Sequence, residues 1–319
     1  MKAEDSSKAK APAQKKEEKV VSPEQGLLSK LRFPELPTKQ AIAFPMVVLV
    51  IGLLIVGFTF ATQNAPLHLG IDFKGGTLAT INTDKSDQAL QTEFGAYPIK
   101  IITTGSNGEK NLQFSALTTD QLTSLNAYIN AHYPGASIAS IGSTFSAANQ
   151  TQAVIAVIVA FIGMAITVFV IFRNFVPSGA VVMAAFADIV FAMAMMNIFH
   201  VELTFGTLAA LLMLIGYSVD TDILLTTKVL GERKYLDKKI ASCRATGLTM
   251  TGAAIVAFIV LYLVSTYAGV FGMSAIPVLS NISLVLIFGL VADLINTWFF
   301  NAGLLKWYME SPAGRAKYG

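Results

Sequence analysis

Six long apolar runs punctuate the chain, at roughly 41–62, 152–172, 178–199, 203–227, 248–268 and 276–300. About 20 apolar residues in helical form cross a bilayer core ~30 Å thick, and each run reaches that length. Lipid offers no hydrogen bonds to an exposed backbone, so each run predicts a transmembrane helix. The segment 63–150, between the first two runs, is polar and keeps a different rhythm.

Within that segment, 78–83 reads as a strand, 86–94 as a helix and 98–103 as a strand. The turn Gly105-Ser106-Asn107-Gly108 leads to a strand over 111–115 and closes a hairpin. Thr119 or Asp120 is placed to cap a helix running to Tyr133, and 136–141 reads as the last strand. The order βαββαβ is that of a ferredoxin-like split βαβ sheet. The expected fold is a multi-pass α-helical membrane protein, with six transmembrane helices and a small α+β domain between helices one and two.

Composition supports a lipid environment. Of 319 residues, 54% are hydrophobic and 13% charged, against about 25% charged in a soluble domain. The net charge of +3 says little; its placement says more. The stretch before the first run is basic, and Arg173 lies between runs two and three. Lys228, Arg233, Lys234, Lys238, Lys239 and Arg244 lie between four and five, and Lys306, Arg315 and Lys317 follow the sixth. The short turns 200–202 and 268–275 carry no Lys or Arg. The positive-inside bias then predicts both termini in the cytoplasm and the polar domain outside the cell membrane.

Residues 1–22 are Lys, Glu, Ala, Ser and Pro with almost nothing apolar, which predicts a disordered tail. The run that follows has full spanning length, which argues against a cleaved signal peptide. In 23–40, Leu27, Leu28, Leu31 and Phe33 cluster among basic residues. A short amphipathic surface helix and a plain juxtamembrane linker suit that segment equally. The expected organisation is a tail and linker over 1–40, helix one over 41–62, the outer domain over 63–150, a five-helix bundle over 151–305 and a cytoplasmic tail over 306–319. The single cysteine, Cys243, excludes a disulfide within the chain and reads as incidental.

Ionisable groups inside the spans are costly unless paired or hydrated, so they are candidates for function. Asp188 lies in the third run beside Ala184, Ala185, Ala192 and Met195, small neighbours that admit a close helix. The fourth run ends Gly216-Tyr217-Ser218-Val219-Asp220-Thr221-Asp222. The sixth carries Asp293, then Asn296 and Thr297 three and four positions on, and Asn301 two turns on. Asp220 and Asp222 project about 200° apart on a helix, so they cannot share a face. Asp220 continues the stripe Gly206, Ala210, Met213, Tyr217, which predicts that it lies on the packed face, at the depth of Asp293. Arg244, where the fifth run begins, is a permanent charge that can approach from the cytoplasmic side. The structural alternatives are that Asp220 and Asp222 merely end a helix at the interface, and that Asp293 belongs to a static Asn/Thr/Asp network. In general, desolvation favours the neutral form of a carboxylic acid, which gives such groups a route to proton uptake and release. No catalytic, metal-binding or cofactor-binding constellation is legible, so a binding or coupling protein is expected rather than an enzyme. His68 and His132 read as solvent-facing loop or helix-end residues.

The residues Gly70-Ile71-Asp72-Phe73-Lys74-Gly75-Gly76-Thr77 form a tight, glycine-permitted turn from membrane to sheet. They open into a strand rather than a helix, so they are not a phosphate loop. This run, with Gly70, Asp72, Phe73, Gly75 and Gly76, resembles the G-[IL]-D-F-x-G-G signature of SecD and SecF, the accessory membrane proteins of Sec protein export. The run 216–222 resembles the SecF G-Y-S-x-N-D-T stretch, and 244–251 is similar to R-T-x-x-T-S-x-T-T. Asp220-Thr221-Asp222 replaces the bacterial Asn-Asp-Thr, and this form, with Asp293-x-x-Asn296-Thr297-Trp298, looks more like archaeal SecF. The resemblance covers about 41–305.

The resemblance implies a Sec export subunit that works with SecD, the second six-helix half of a fold related to the resistance-nodulation-division exporters. It further implies a SecYE-type channel as the larger assembly, exported unfolded polypeptides as cargo, surrounding membrane lipids, and no cofactor or nucleic acid. The family's proton-coupling role would carry over to Asp220 or Asp222; Asp188, Asp293 and Arg244 are further coupling candidates from their place in or beside the spans. The competing class is half of a proton-coupled small-molecule or lipid exporter of the same fold; the short outer domain and the Gly-Gly turn favour export of proteins. The polar faces of helices three, four and six are expected to meet SecD.

Overall fold

The computed structural model describes residues 37–104, 109–115, 117–231, 235–267 and 276–318. The expected tail over 1–22, most of the 23–40 segment, the hairpin turn 105–108 and the short turn 268–275 lie outside the described residues.

Among the described residues, six helical stretches are long and apolar enough to cross a membrane. The first is α1 (Thr38–Gln63). After the α+β domain come α5 (Ser143–Phe172), α6 (Phe175–Ile198), α7 (Phe205–Leu230) and α8 (Leu236–Thr266). The sixth starts as α9 (Pro277–Ile295), widens into a π-helical turn over Asn296–Asn301 and resumes as α10 (Ala302–Glu310). A short α11 (Pro312–Tyr318) follows.

The α+β domain opens with a single turn, α2 (Ile71–Lys74), and continues with β1 (Gly76–Asn82) and α3 (Asp87–Glu93). The hairpin is β2 (Ile99–Thr104) and β3 (Glu109–Phe114), followed by α4 (Thr119–His132) and β4 (Ser137–Ile141). The sheet order is β2-β3-β1-β4 with antiparallel neighbours, the split βαβ arrangement expected from the order of elements. Alternation on β1 turns Ala79 and Ile81 inward, where they meet Leu90, Phe94, Leu112, Phe114, Leu125 and Ile129. The cap of α4 is Thr118, one residue before the expected Thr119 or Asp120. Its hydroxyl accepts from the Gln121 amide while Gln121 reaches back to the Thr118 N–H, a reciprocal capping box.

In the membrane part, α6, α7 and α9 form the interior, with α1, α5 and α8 outside them. The domain-proximal halves of the inner three are joined by Ala192, Met196, Ala210, Leu214, Val285 and Leu286. Gly289 makes the α7–α9 approach possible, because a Cβ there would collide with the Leu214 side chain. Close approach at small residues is the usual basis of helix packing in lipid, where no hydrophobic drive separates helix from solvent. The polar faces of helices three, four and six therefore face one another within this chain. Ala192 and Ala210 are buried within this chain, so the expected SecD contact through those two positions is corrected: exposed surface in the membrane part lies on much of α1, α5 and α8 and on the Met213, Gly216 and Asp220 side of α7.

Candidate functional site

Below that apolar layer, three fully buried carboxylates come together from three helices: Asp188 on α6, Asp222 on α7 and Asp293 on α9. Asp188 accepts hydrogen bonds from Ser218 Oγ of α7 and from Asn296 Nδ2 at 2.7 Å. Asp222 Oδ1 accepts from Thr297 Oγ1 at 2.8 Å and from Asn301 Nδ2 at 2.7 Å. Asp293 Oδ1 lies 3.0 Å from the same Thr297 hydroxyl, and Thr251 of α8 reaches its other oxygen at 3.5 Å. Every hydrogen-bond donor to the three acids, among the described residues, is neutral. A buried carboxylate held only by neutral dipoles keeps a large desolvation cost when ionised, unlike one paired with a cation.

The π turn explains how one short segment serves all three acids. Asn296, Thr297 and Asn301 all lie in it, and all are buried. Widening the helix by one residue per turn turns Asn296 toward Asp188, and Thr297 and Asn301 toward Asp222. Such π bulges recur at functional sites. Several polar atoms here stay buried without a hydrogen-bond partner: Asp222 Oδ2, Asn301 Oδ1, Thr226 Oγ1 and Trp298 Nε1.

The sequence reading of helix four chose the wrong face. Asp220, Gly216 and Met213 are exposed, whereas Ser218, Thr221, Asp222, Leu225 and Thr226 are buried. The stripe Gly206, Ala210, Met213, Tyr217 misled because Ala210 belongs to the core while Met213 does not. The expected pairing of helices four and six at one depth does occur, but through Asp222, on the opposite side from Asp220. Arg244 is half-buried on α8, two turns before Thr251.

A second constellation sits where the α+β domain meets the membrane helices. Gly70 N–H donates to Leu203 O at 2.9 Å and Leu203 N–H to His68 O at 2.6 Å, joining the chain after α1 to the α6–α7 loop. Asp72 Oδ2 accepts from the Phe205 amide at 2.9 Å, at the start of α7. Phe73 is fully buried against the Phe205 ring, with centroids 5.3 Å apart. Asn149 of α5 donates to Asp72 O at 2.9 Å, and Gln150 donates to Phe73 O. Gly75 (φ 71°) and Gly76 (φ 123°) then turn the chain into β1; a side chain at 76 would meet the Phe114 carbonyl. His68 is corrected too. It is half-buried, its ring 5.1 Å from that of His200, and burial lowers its pKa. His132 is an exposed helix-end residue as expected, stacked on Tyr128.

Sequence reasoning missed Ser218, Thr251, Asn149 and Gln150 as participants. Two amides in succession at the start of an otherwise apolar run were the available signal for the last pair.

This is a six-span membrane protein with a ferredoxin-like domain between helices one and two and intramembrane acids, the build of the SecD/SecF class. Residues 121–311 match the family described as protein export membrane protein SecD/SecF, C-terminal, and 64–87 match the SecD/SecF GG motif. Protein-export membrane protein SecF of Methanolacinia petrolearia is 42% identical over 272 residues, covering 85% of this chain and 94% of that protein. SecF of Haloferax volcanii is 41% identical, over 85% of this chain and 92% of its own. The chain belongs to the SecF family of protein-export membrane proteins. The crystal structure of SecDF from Thermus, a translocon-associated membrane protein, superposes with a TM-score of 0.72 at 19% identity. It covers 90% of this chain, which spans 40% of the length of that SecDF chain.

Proposed function

We propose that this chain works with SecD as an accessory to a SecYE-type channel, using the proton gradient to promote outward movement of exported polypeptides. The termini lie in the cytoplasm and the α+β domain outside, as the Lys/Arg distribution supports. The segments are the tail and linker 1–40, helix one 41–62, the outer domain 63–150, the bundle 151–305 and the tail 306–319.

The observation that carries the coupling reading is the shared hydroxyl of Thr297. One O–H has one proton to give, and two carboxyl groups stand within reach of it. With both acids ionised, the hydroxyl serves one and leaves the other short of a donor. A proton on either acid supplies the missing bond. Proton number and hydrogen-bond pattern are thus linked across α7 and α9, and the acids assigned to coupling are Asp222, Asp293 and Asp188. Arg244 and Asp220, toward the cytoplasmic side, are assigned to proton access rather than to the buried pair. A ligand that binds one arrangement better than another shifts the population between them, and the proton is that ligand.

The test is export in membranes with and without a proton uncoupler. Asp222→Asn should remain inserted and bound to SecD but lose the gradient-dependent part of export, while Asp220→Asn should retain most of it. Equal uncoupler sensitivity of Asp222→Asn and parent would remove Asp222 from the mechanism.

A further inference from the structure

We propose that Asp72 is the positioning residue that transmits movement of α7 to the outer domain, by fastening the Gly70–Gly76 turn to the first turn of that helix. The inference rests on the reading of Asp222 as a coupling acid, and it assigns the path by which Asp222 reaches the domain.

Helix α7 carries both Asp222 and the Ser218 hydroxyl bound to Asp188, so re-pairing among the acids acts on this helix. It runs unbroken from Phe205 to Leu230 with no proline inside it. By a rise of 1.5 Å per residue, Asp222 is about 26 Å from Phe205 along a continuous hydrogen-bonded rod. The first turn of that rod is held by side chains. Thr204 Oγ1 accepts the Thr207 amide at 3.3 Å and Thr207 Oγ1 accepts the Thr204 amide at 2.8 Å. The Phe205 amide, which no residue of α7 itself can satisfy, is taken by Asp72 at 2.9 Å. A carboxylate there also meets the positive end of the helix dipole.

Asp72 is equally bound on its other side. Its turn passes through Gly75 and Gly76 directly into β1, which lies between β3 and β4 in the sheet. Phe73 packs against Phe205 in the same direction as the Asp72 bond. Asn149 and Gln150 of α5 donate to the carbonyls of the same turn, so the turn is tied to α5 as well as to α7. An axial or rotational displacement of α7 therefore moves Phe205, and with it Asp72 and the start of the central strand.

Hydrogen–deuterium exchange of the full chain in lipid nanodiscs tests this, with Asp222→Asn as a fixed neutral side chain. In the parent, Asp222→Asn should change exchange in both 205–212 and 70–77, by about fivefold, the scale of one lost cap. In an Asp72→Ala background the response at 205–212 should persist and that at 70–77 should vanish. Asp72→Asn, whose side-chain oxygen still accepts the Phe205 amide, should restore it. Phe205→Pro offers an independent cut: it removes the N–H, proline suits the first helical position, and Thr204 before it is already extended at φ −119°, ψ 172°. The proposal is overturned if either Asp72→Ala or Phe205→Pro, eluting as a monodisperse species, transmits as the parent does. It is also overturned if Asp222→Asn leaves 70–77 unchanged in the parent. Uncoupler-sensitive export by Asp222→Asn is read separately, so a failed path and a wrong coupling acid give different results.

Discussion

Asp222 and Asp293, on different helices and 71 positions apart in sequence, share one hydroxyl: Thr297 Oγ1 lies 2.8 Å from the first and 3.0 Å from the second. Removing that hydroxyl while keeping the shape of the side chain isolates its contribution. Thr297→Val should destabilise the protein by ~1–3 kcal/mol, the cost of leaving buried acceptors unpaired, and should abolish gradient-dependent export. Thr297→Ser should preserve both. Thermal unfolding in detergent and the uncoupler assay report the two effects, and a Val variant as active as the Ser variant would show that the shared bond is dispensable.

The corrected face of α7 predicts chemical access. With Cys243 replaced, a cysteine at Asp220 should react with a maleimide in the isolated protein, whereas one at Ser218 should not. Reaction at Ser218 and protection at Asp220 would restore the face inferred from the small-residue stripe.

The contrast between exposed and enclosed positions predicts a crosslinking pattern. Cysteines at exposed positions on α5 and α8, such as Ile158 and Val256, should link to a co-expressed SecD or label from lipid. Cysteines at Ala192 and Ala210 should do neither, because α6, α7 and α9 enclose them. Efficient SecD crosslinks from Ala192 would mean that the bundle opens in the complex.

In the α+β domain, Glu93 accepts from Lys85 at 2.7 Å, Tyr133 at 2.7 Å and Tyr128 at 2.9 Å. Burial opposes its ionisation, yet these donors outweigh burial and hold its pKa below the ordinary 4.5. Lys85 is shifted upward by its bonds to Glu93 and Tyr133. A depressed carboxyl stabilises the fold above its unfolded pKa and loses that contribution as pH falls through the folded value. Near-ultraviolet dichroism during thermal melting of the full chain should therefore show a domain transition that weakens below about pH 4.5. Glu93→Gln should be weaker at pH 7 and flatter across that range. An unchanged pH profile in the Gln variant would assign the acid sensitivity to another group.

Gly289 predicts a packing defect. Gly289→Val drives a branched side chain into Leu214, and overpacking of this kind costs ~1–3 kcal/mol. Adding Leu214→Ala should recover part of the loss if the collision is the cause; failure to recover it would place the defect elsewhere.

Six spans and the βαββαβ order were legible because each follows from a local period: twenty apolar residues for a helix in lipid, alternation and turns for a strand. Thr118 against Thr119 is the one-residue uncertainty usual at a helix start. The carboxylate cluster was legible as residue types but not as geometry. Which face of helix four is buried depends on helices 30 to 80 residues away in sequence, as the Ser218–Asp188 and Asn301–Asp222 bonds show. Asp72 is 133 positions from Phe205, and no local pattern links them. The π turn did leave a trace: Asn296 and Asn301 are spaced by five, the hydrogen-bond interval of that helix.

The wide turn at Asn296–Asn301 has a consequence for anyone reading the last helix by position. One additional residue rotates everything after it by about 100° relative to an uninterrupted α-helix. A helical wheel drawn from Pro277 through Glu310 in a single phase thus assigns the wrong compass bearing to Leu305, Tyr308 and Met309. All three are buried, while Trp307 is exposed. Cysteine scans, crosslinking maps and aligned sequence logos of this helix need two separate origins, one before the turn and one after it. A single-residue deletion within the turn would be a rephasing of the C-terminal segment rather than a shortening.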